Sequence, residues 1–283
     1  MTRSDAQGRL PGIAPVSVVD IGSNSIRLVI YEGLARAPTV LFNEKVLCGL
    51  GKGVATTGRM DEDGVERALV ALRRFRALSN QAHASRMYVL ATAAAREQIL
   101  GQEVLVLTGE EEAKYSALGV VSGFHNADGI AGDLGGGSLE LIDVKGTDFG
   151  RGITLPLGGL RLSETVEGSL PKARALAKKL VGEEELLRKG QGRTFYAVGG
   201  TWRNIAKLHM EIRQYPLHMM QGYELPYDEI AFFLEEIISG ANSRDPAWST
   251  ISKSRRNLIP FGAAAMREVI EIMQPKSVCF SAQ

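Results

Sequence analysis

The sequence predicts an α/β protein of two domains, and three observations carry that expectation. A strand, turn and strand pattern occurs twice, short strands end on small polar residues directly before helices, and 283 residues are enough for two separate cores. The first copy of the pattern is Val18-Val19-Asp20-Ile21-Gly22-Ser23-Asn24-Ser25-Ile26-Arg27-Leu28-Val29-Ile30. The second is Ile130-Ala131-Gly132-Asp133-Leu134-Gly135-Gly136-Gly137-Ser138-Leu139-Glu140-Leu141-Ile142. In register, Asp20 matches Asp133, Gly22 matches Gly135 and Ser25 matches Ser138, whereas Arg27 is matched by Glu140. A cation in one copy and an acid in the other imply two halves with different tasks.

The elements follow in chain order. Residues 1–15 hold Gly8, Pro11, Gly12 and Pro15 without an apolar run and are expected to form a loose tail, neither signal peptide nor membrane span. After the first turn, Ile26, Leu28 and Ile30 alternate with Arg27, Val29 and Tyr31, which predicts a strand. A turn followed by a strand disfavours the P-loop and dinucleotide fingerprints, whose glycines open a helix. Asp61-Glu62-Asp63 opens a helix to about residue 80, with Val65, Leu69, Leu72, Phe75, Arg76 and Leu78 as its core stripe. Arg86–Leu90 reads as a strand ending at Ala91-Thr92, before a helix start at 93–96; Val104–Leu107 reads as a strand running through Thr108-Gly109 into a helix.

The second half repeats this plan. A hairpin at Asp133 precedes a charged amphipathic helix over 171–189, a strand Thr194–Val198, and Gly199-Gly200-Thr201 opening a helix Trp202–Met210. Further helices are predicted over 227–239 and Gly262–Met273, a polar loop over 240–256, and a closing strand Val278–Phe280. The domain division is placed between 126 and 127. Strand ends at one sheet edge are where α/β folds bind ligands.

Composition narrows the function. A net charge of +1 argues against a broad nucleic-acid surface, which needs clustered cations. Cys48 and Cys279 are too few for a disulfide framework and read as core residues of a protein in a reducing, cytoplasmic setting. The histidines at 83, 125, 209 and 218 have no short metal-ligand spacing, against a zinc site.

Glycine turns let phosphate oxygens approach backbone N–H groups, and Ser23, Asn24, Ser25 and Ser138 add side-chain donors. Asp20 and Asp133 at the strand ends suit Mg²⁺, which takes oxygen ligands and keeps several waters. In Thr108-Gly109-Glu110-Glu111-Glu112-Ala113, Thr108 and Glu111 fit a capping box; Glu112 shares helical spacing with Tyr115, Ser116 and Gly119 and is the catalytic candidate. Arg96 follows a strand end from which a guanidinium can fork onto phosphate, or is a surface arginine early in a helix. Gly199, Gly200 and Thr201 either hold a further phosphate near a helix start or permit tight packing. Lys253, Arg255 and Arg256 are the densest basic cluster, a guide for a polyanion or a solvated loop.

Six motifs in order, Asp20–Arg27, Ala91–Arg96, Gly109–Ala113, Gly132–Glu140, Leu155–Gly158 and Val198–Thr201, resemble the exopolyphosphatase and guanosine pentaphosphate phosphohydrolase family of the actin, hexokinase and Hsp70 superfamily. The resemblance implies two ribonuclease-H-like domains with the active site in the cleft between them. It also implies Mg²⁺-dependent removal of terminal phosphate from inorganic polyphosphate or guanosine pentaphosphate. By motif position Glu112 is similar to the catalytic base; Asp133, Gly136, Gly137, Ser138 and Glu140 correspond to the second phosphate and metal motif; Ser23, Asn24, Ser25, Arg27 and Arg96 correspond to phosphate contacts.

The family usually has a longer segment between Arg96 and Gly109, and continues into a Gly-Leu-Arg-Glu-Gly helix where this chain ends at Gln283, which implies further sequence beyond. Exopolyphosphatase is the first expectation, with guanosine pentaphosphate phosphatase as the alternative. A sugar or acid kinase is disfavoured, and a polyphosphate or alarmone sensor is the alternative of another class. Neither nucleic acid nor membrane is expected as a partner, and a homodimer is left open.

Overall fold

A computed structural model describes residues 13–35, 38–57, 59–92 and 105–282. Most of the expected tail, the helix start at 93–96 with Arg96, and Val104 lie outside the described residues. The chain divides into two compact units. One runs to Leu107 without Ala55–Thr57, and the other is Thr108–Gln283 with those three residues.

The first unit opens with β1 (Val16–Ile21), β2 (Ser25–Tyr31) and β3 (Val40–Leu47), followed by the single turn α1 (Val54–Thr57) and the long helix α2 (Glu62–Gln81). Strands β4 (Arg86–Thr92) and β5 (Leu105–Leu107) complete a sheet of order β3-β2-β1-β4-β5. The first three strands are antiparallel, and β4 and β5 add in parallel. Asp61 caps α2, its Oδ2 accepting from the Gly64 N–H at 2.8 Å, as the acidic start predicts. Ala68, Leu72 and Phe75 of α2 pack with Val19, Ile21, Ile26 and Leu28, so the even-numbered β2 residues face the core and Arg27 faces the other way.

The second unit begins with α3 (Gly109–Gly123), then β6 (Ala127–Leu134), β7 (Leu139–Gly146), β8 (Asp148–Phe149) and β9 (Ile153–Leu155). Helices α4 (Gly159–Thr165), α5 (Leu170–Gly182) and α6 (Glu185–Arg188) precede β10 (Thr194–Val198) and α7 (Gly200–Ile212). Then come β11 (Tyr223–Pro226), α8 (Tyr227–Ser239), α9 (Lys253–Arg256), α10 (Ile259–Met273) and β12 (Ser277–Phe280). β9 and β6 flank β7 in antiparallel fashion, and β10 then β12 extend β6 in parallel. The path β9-β7-β6-β10-β12 therefore repeats β3-β2-β1-β4-β5, and the duplication read in the turns extends to whole sheets, as the resemblance implies. β11 and β8 are additions at the edges.

The division between 126 and 127 leaves α3 in the first half. In the structure its Ala113, Ala117 and Val120 pack with Ala127, Ala131, Ile142 and Val144 of the second sheet. The helix expected over 171–189 is two, because Glu184 is extended (φ −96°, ψ 107°) and the chain turns to seat fully buried Leu187 in the core. Within the polar stretch 240–256 lie a 3-10 turn, Pro246–Thr250, capped by Asp245, and α9. Helix α10 is the hub of the larger core: Val269 and Ile270 are fully buried, and its Gly262 carbonyl accepts from Trp202 Nε1 at 2.9 Å. Cys48 and Cys279 are free and buried. No described helix is long and apolar enough to cross a membrane.

Candidate functional site

The two turns close alike. Gly22 N–H donates to the Ser25 carbonyl at 3.0 Å, and Gly135 N–H to the Ser138 carbonyl at 3.0 Å. Below each turn the strands pair in the same register, Asp20 with Arg27 and Asp133 with Glu140. In both, the carbonyl edge is anchored by the segment that follows. Asn24 O accepts from Cys48 and Gly49, and Ser23 O from Gly51; Gly135 O accepts from Gly159, and Gly136 O from Leu160 and Arg161. Anchoring the carbonyls leaves the opposite, amide edge as the one that can meet an anion.

In the first unit Asp20 is exposed at the end of β1, Ser23, Asn24 and Ser25 are half-buried, and Arg27 Nε donates to Asn43 Oδ1 on β3 at 2.9 Å. That bond fixes the guanidinium plane and leaves its terminal nitrogens as the forked donors that suit phosphate.

The second unit gathers the other candidates. Gly158 precedes α4, and a Cβ on it would overlap the backbone of Gly137 and Ser138, which accounts for the glycine of Leu155–Gly158. Gly199, at φ 103°, ends β10 beside Asp133; a Cβ there would lie 2.5 Å from Leu134 O and 2.9 Å from Asp133 Oδ1. The start of α7 thus abuts the Asp133 strand end. Thr201 packs against Gly262, its methyl where a Cβ would go, so close packing explains much of Gly199–Thr201.

Helix α3 supplies the acid. Its capping box forms as the sequence predicts: Glu111 N–H donates to Thr108 Oγ1 at 3.3 Å, and Thr108 N–H to Glu111 Oε2 at 2.7 Å. Glu111 is thereby occupied. Glu112 and Ser116 lie one turn apart on the same face, and Ser116 Oγ donates to Asp133 Oδ2 at 2.8 Å. Glu140 is 3% exposed, and its Oε1 has no hydrogen-bond partner among the described residues. Burial, with the charges of Asp133 and Glu112 adding, pushes its carboxyl up to about 8 against the pull of the Ser138 hydroxyl bond. Two carboxylates that push a third, buried carboxyl toward its protonated form are an arrangement that a cation relieves.

No three His, Cys, Asp or Glu side chains among the described residues close around one point. Two carboxylates suffice for Mg²⁺, which completes its shell with water and phosphate oxygens. The orphaned, buried Glu140 oxygen beside Asp133 fits such an ion. Asn43 escaped the sequence reading, because its role depends on the pairing of β3 with β2. Ser116 was legible only as spacing from Glu112.

Comparisons with known proteins bear on the family and the fold. The model of the Ppx/GppA phosphatase family matches residues 29–283. Exopolyphosphatase 2 of Mycobacterium tuberculosis is 27% identical over 293 aligned positions, covering 93% of this chain and 92% of the relative. A crystal structure of the Aquifex aeolicus member of the Ppx/GppA family shares 25% identity with a TM-score of 0.74, over 95% of this chain and 94% of that one. An exopolyphosphatase from Cytophaga hutchinsonii, 19% identical, shares the fold with a TM-score of 0.80 over 94% and 93%.

Proposed function

The chain belongs to the Ppx/GppA phosphatase family, and from that premise we propose that it is an exopolyphosphatase releasing terminal orthophosphate from inorganic polyphosphate with Mg²⁺. The observation that carries the reading is α3 presenting Glu112 one turn from Ser116, which is bonded to Asp133 at the foot of the glycine turn. A phosphate-binding turn alone would only hold its ligand. An acid placed beside it supplies a base for water.

In this reading the N–H groups of Gly136, Gly137 and Ser138 hold the terminal phosphate, with Gly200 and Thr201 bordering it at the start of α7. Asp133 and Glu140 would hold Mg²⁺, which when bound neutralises charge on the phosphoryl oxygens. Glu112 orients a water and takes its proton as the oxygen bonds to the terminal phosphorus. The bridging P–O bond breaks, orthophosphate leaves, and the chain is one unit shorter. Ser23, Asn24, Ser25, Arg27 and Arg96 are proposed phosphate contacts, and Asp20 a further acid for the metal. Two free, buried cysteines suit a reducing, cytoplasmic setting.

Phosphate release from long-chain polyphosphate and from guanosine pentaphosphate, each with Mg²⁺, tests the proposal. Turnover of the polymer is the expected result. Turnover of the nucleotide alone reassigns the substrate, and turnover of neither leaves a sensor.

A further inference from the structure

The two sheets share a plan, so equivalent positions can be compared row by row. In the second unit the row at the foot of the turn is Asp133, Glu140 and Thr154, across β6, β7 and β9. In the first it is Asp20, Arg27 and Lys45, across β1, β2 and β3. Residues paired across neighbouring strands project from the same face, with Cβ atoms about 5 Å apart. Lys45 therefore stands beside Arg27, on the face opposite the α2 core, and is exposed.

A second lysine follows a loop whose backbone is bonded to the same turn. Residues 48–51 are stitched beneath it, Cys48 and Gly49 donating to Asn24 O at 3.1 and 3.0 Å and Gly51 to Ser23 O at 2.6 Å. Arg67 Nη2 fastens the loop further by donating to Cys48 O at 2.7 Å. Lys52 follows directly, exposed, in a backbone held by the bond from its own N–H to Gly49 O at 3.1 Å. One turn thus has a bonded arginine and an exposed lysine in the row at its foot, and a second exposed lysine on the loop anchored to it.

We infer that Lys45 and Lys52 extend the phosphate grip of the first turn to consecutive groups of a phosphate chain, a step that rests on the polyphosphate reading. Arg27, clamped by Asn43, suits one phosphate held in fixed geometry. Lysines are compact charges on flexible stems, and they suit phosphate groups whose positions change as a chain shortens and advances. A ligand with one phosphate needs only the turn, whereas a polymer gains from each added cation.

The test uses the whole chain and reads binding apart from turnover. Orthophosphate, tripolyphosphate and long-chain polyphosphate are titrated calorimetrically into wild type, Lys45→Met, Lys52→Met and the double variant. Each single loss is expected to weaken long-chain binding about tenfold, the scale of one charge-assisted contact, with orthophosphate unaffected. In the phosphate-release assay KM for the polymer is expected to rise in parallel, kcat to change less than about twofold, and Lys→Arg to restore most of the loss. Unchanged polymer binding in the double variant overturns the inference, as does an equal loss for orthophosphate. A melting shift with unchanged binding marks Lys45 as a charge that blunts the sheet edge. If wild type binds polymer but hydrolyses none, the exopolyphosphatase reading fails while the lysines are still judged by binding.

Discussion

Ser116 on α3 donates a 2.8 Å hydrogen bond to Asp133 Oδ2 at the end of β6. The bond joins the helix that carries Glu112 to the strand that carries the proposed metal ligand. Ser116→Ala removes the donor that orients this Asp133 oxygen. The expected outcome is a several-fold higher Mg²⁺ concentration for half-maximal activity, with the melting temperature little changed. An unaltered Mg²⁺ titration would show that Asp133 needs no such positioning.

Glu112→Gln keeps the size of the side chain and removes the base. Hydrolysis is expected to fall by about 10² to 10⁴, the usual worth of a general base, while polyphosphate binding measured by calorimetry is retained. Persistent turnover would move the base to another residue.

Gly158→Ala tests the close approach of α4 to the second turn. The added Cβ would overlap Gly137 and Ser138 backbone, which has no flexible end to swing away. The expected result is a loss of stability of about 1 to 3 kcal/mol in chemical denaturation, accompanied by weaker phosphate binding. Wild-type stability would mean that the turn relaxes freely.

Much of this was legible in the sequence where the signal is local. Helix α8 begins and ends where the apolar spacing places it, at Tyr227 and Ser239, and the α3 capping box is written in Thr108 and Glu111. The correspondence of Asp20 with Asp133 and of Arg27 with Glu140 was legible from aligning the two copies, and the structure adds that each acid pairs across its hairpin with the other residue of its own copy. Illegible were features fixed by distant partners. Strand β3 alternates exposed and half-buried residues because it is a sheet edge, so its pattern is weak, and Asn43 acquires a role only once β3 pairs with β2. Helix α4 follows Gly158, a glycine that the close approach of the distant turn requires and that no local pattern explains.

Glu140 links metal binding to pH. With its carboxyl pushed up to about 8, the site below that pH must release a proton to accept a cation. Mg²⁺ affinity is therefore expected to rise by up to tenfold per pH unit between about 6 and 8 and then level off. Calorimetry in buffers of different ionisation enthalpy should find close to one proton released at pH 6.5 and few at pH 9. Glu140→Gln should flatten both. Equal proton release at the two pH values would exclude Glu140 from the site.

His209 on α7 gives the fold an acid-side weakness of its own. It is 1% exposed, with Nδ1 2.7 Å from the Tyr223 hydroxyl and its ring edge-on to Phe233 at 4.6 Å. Burial, with Arg213 adding, pushes its pKa down from 6.5 to about 4, although Glu229 Oε1 lies 3.4 Å from Nε2. The unfolded chain takes up this proton first, so the contribution to stability is whole above pH 6.5 and is lost as pH falls through about 4. The loss reaches about 3 kcal/mol at one shift unit per 1.4 kcal/mol. Denaturation of wild type and His209→Gln at pH 7.5 and 4.5 isolates it, since the carboxylates titrate in both proteins. The variant is expected to be less stable at pH 7.5, with the gap narrowing by about 2 to 3 kcal/mol at pH 4.5. A gap of equal size at both pH values would mean that His209 takes up its proton in the folded chain as readily as in the unfolded one.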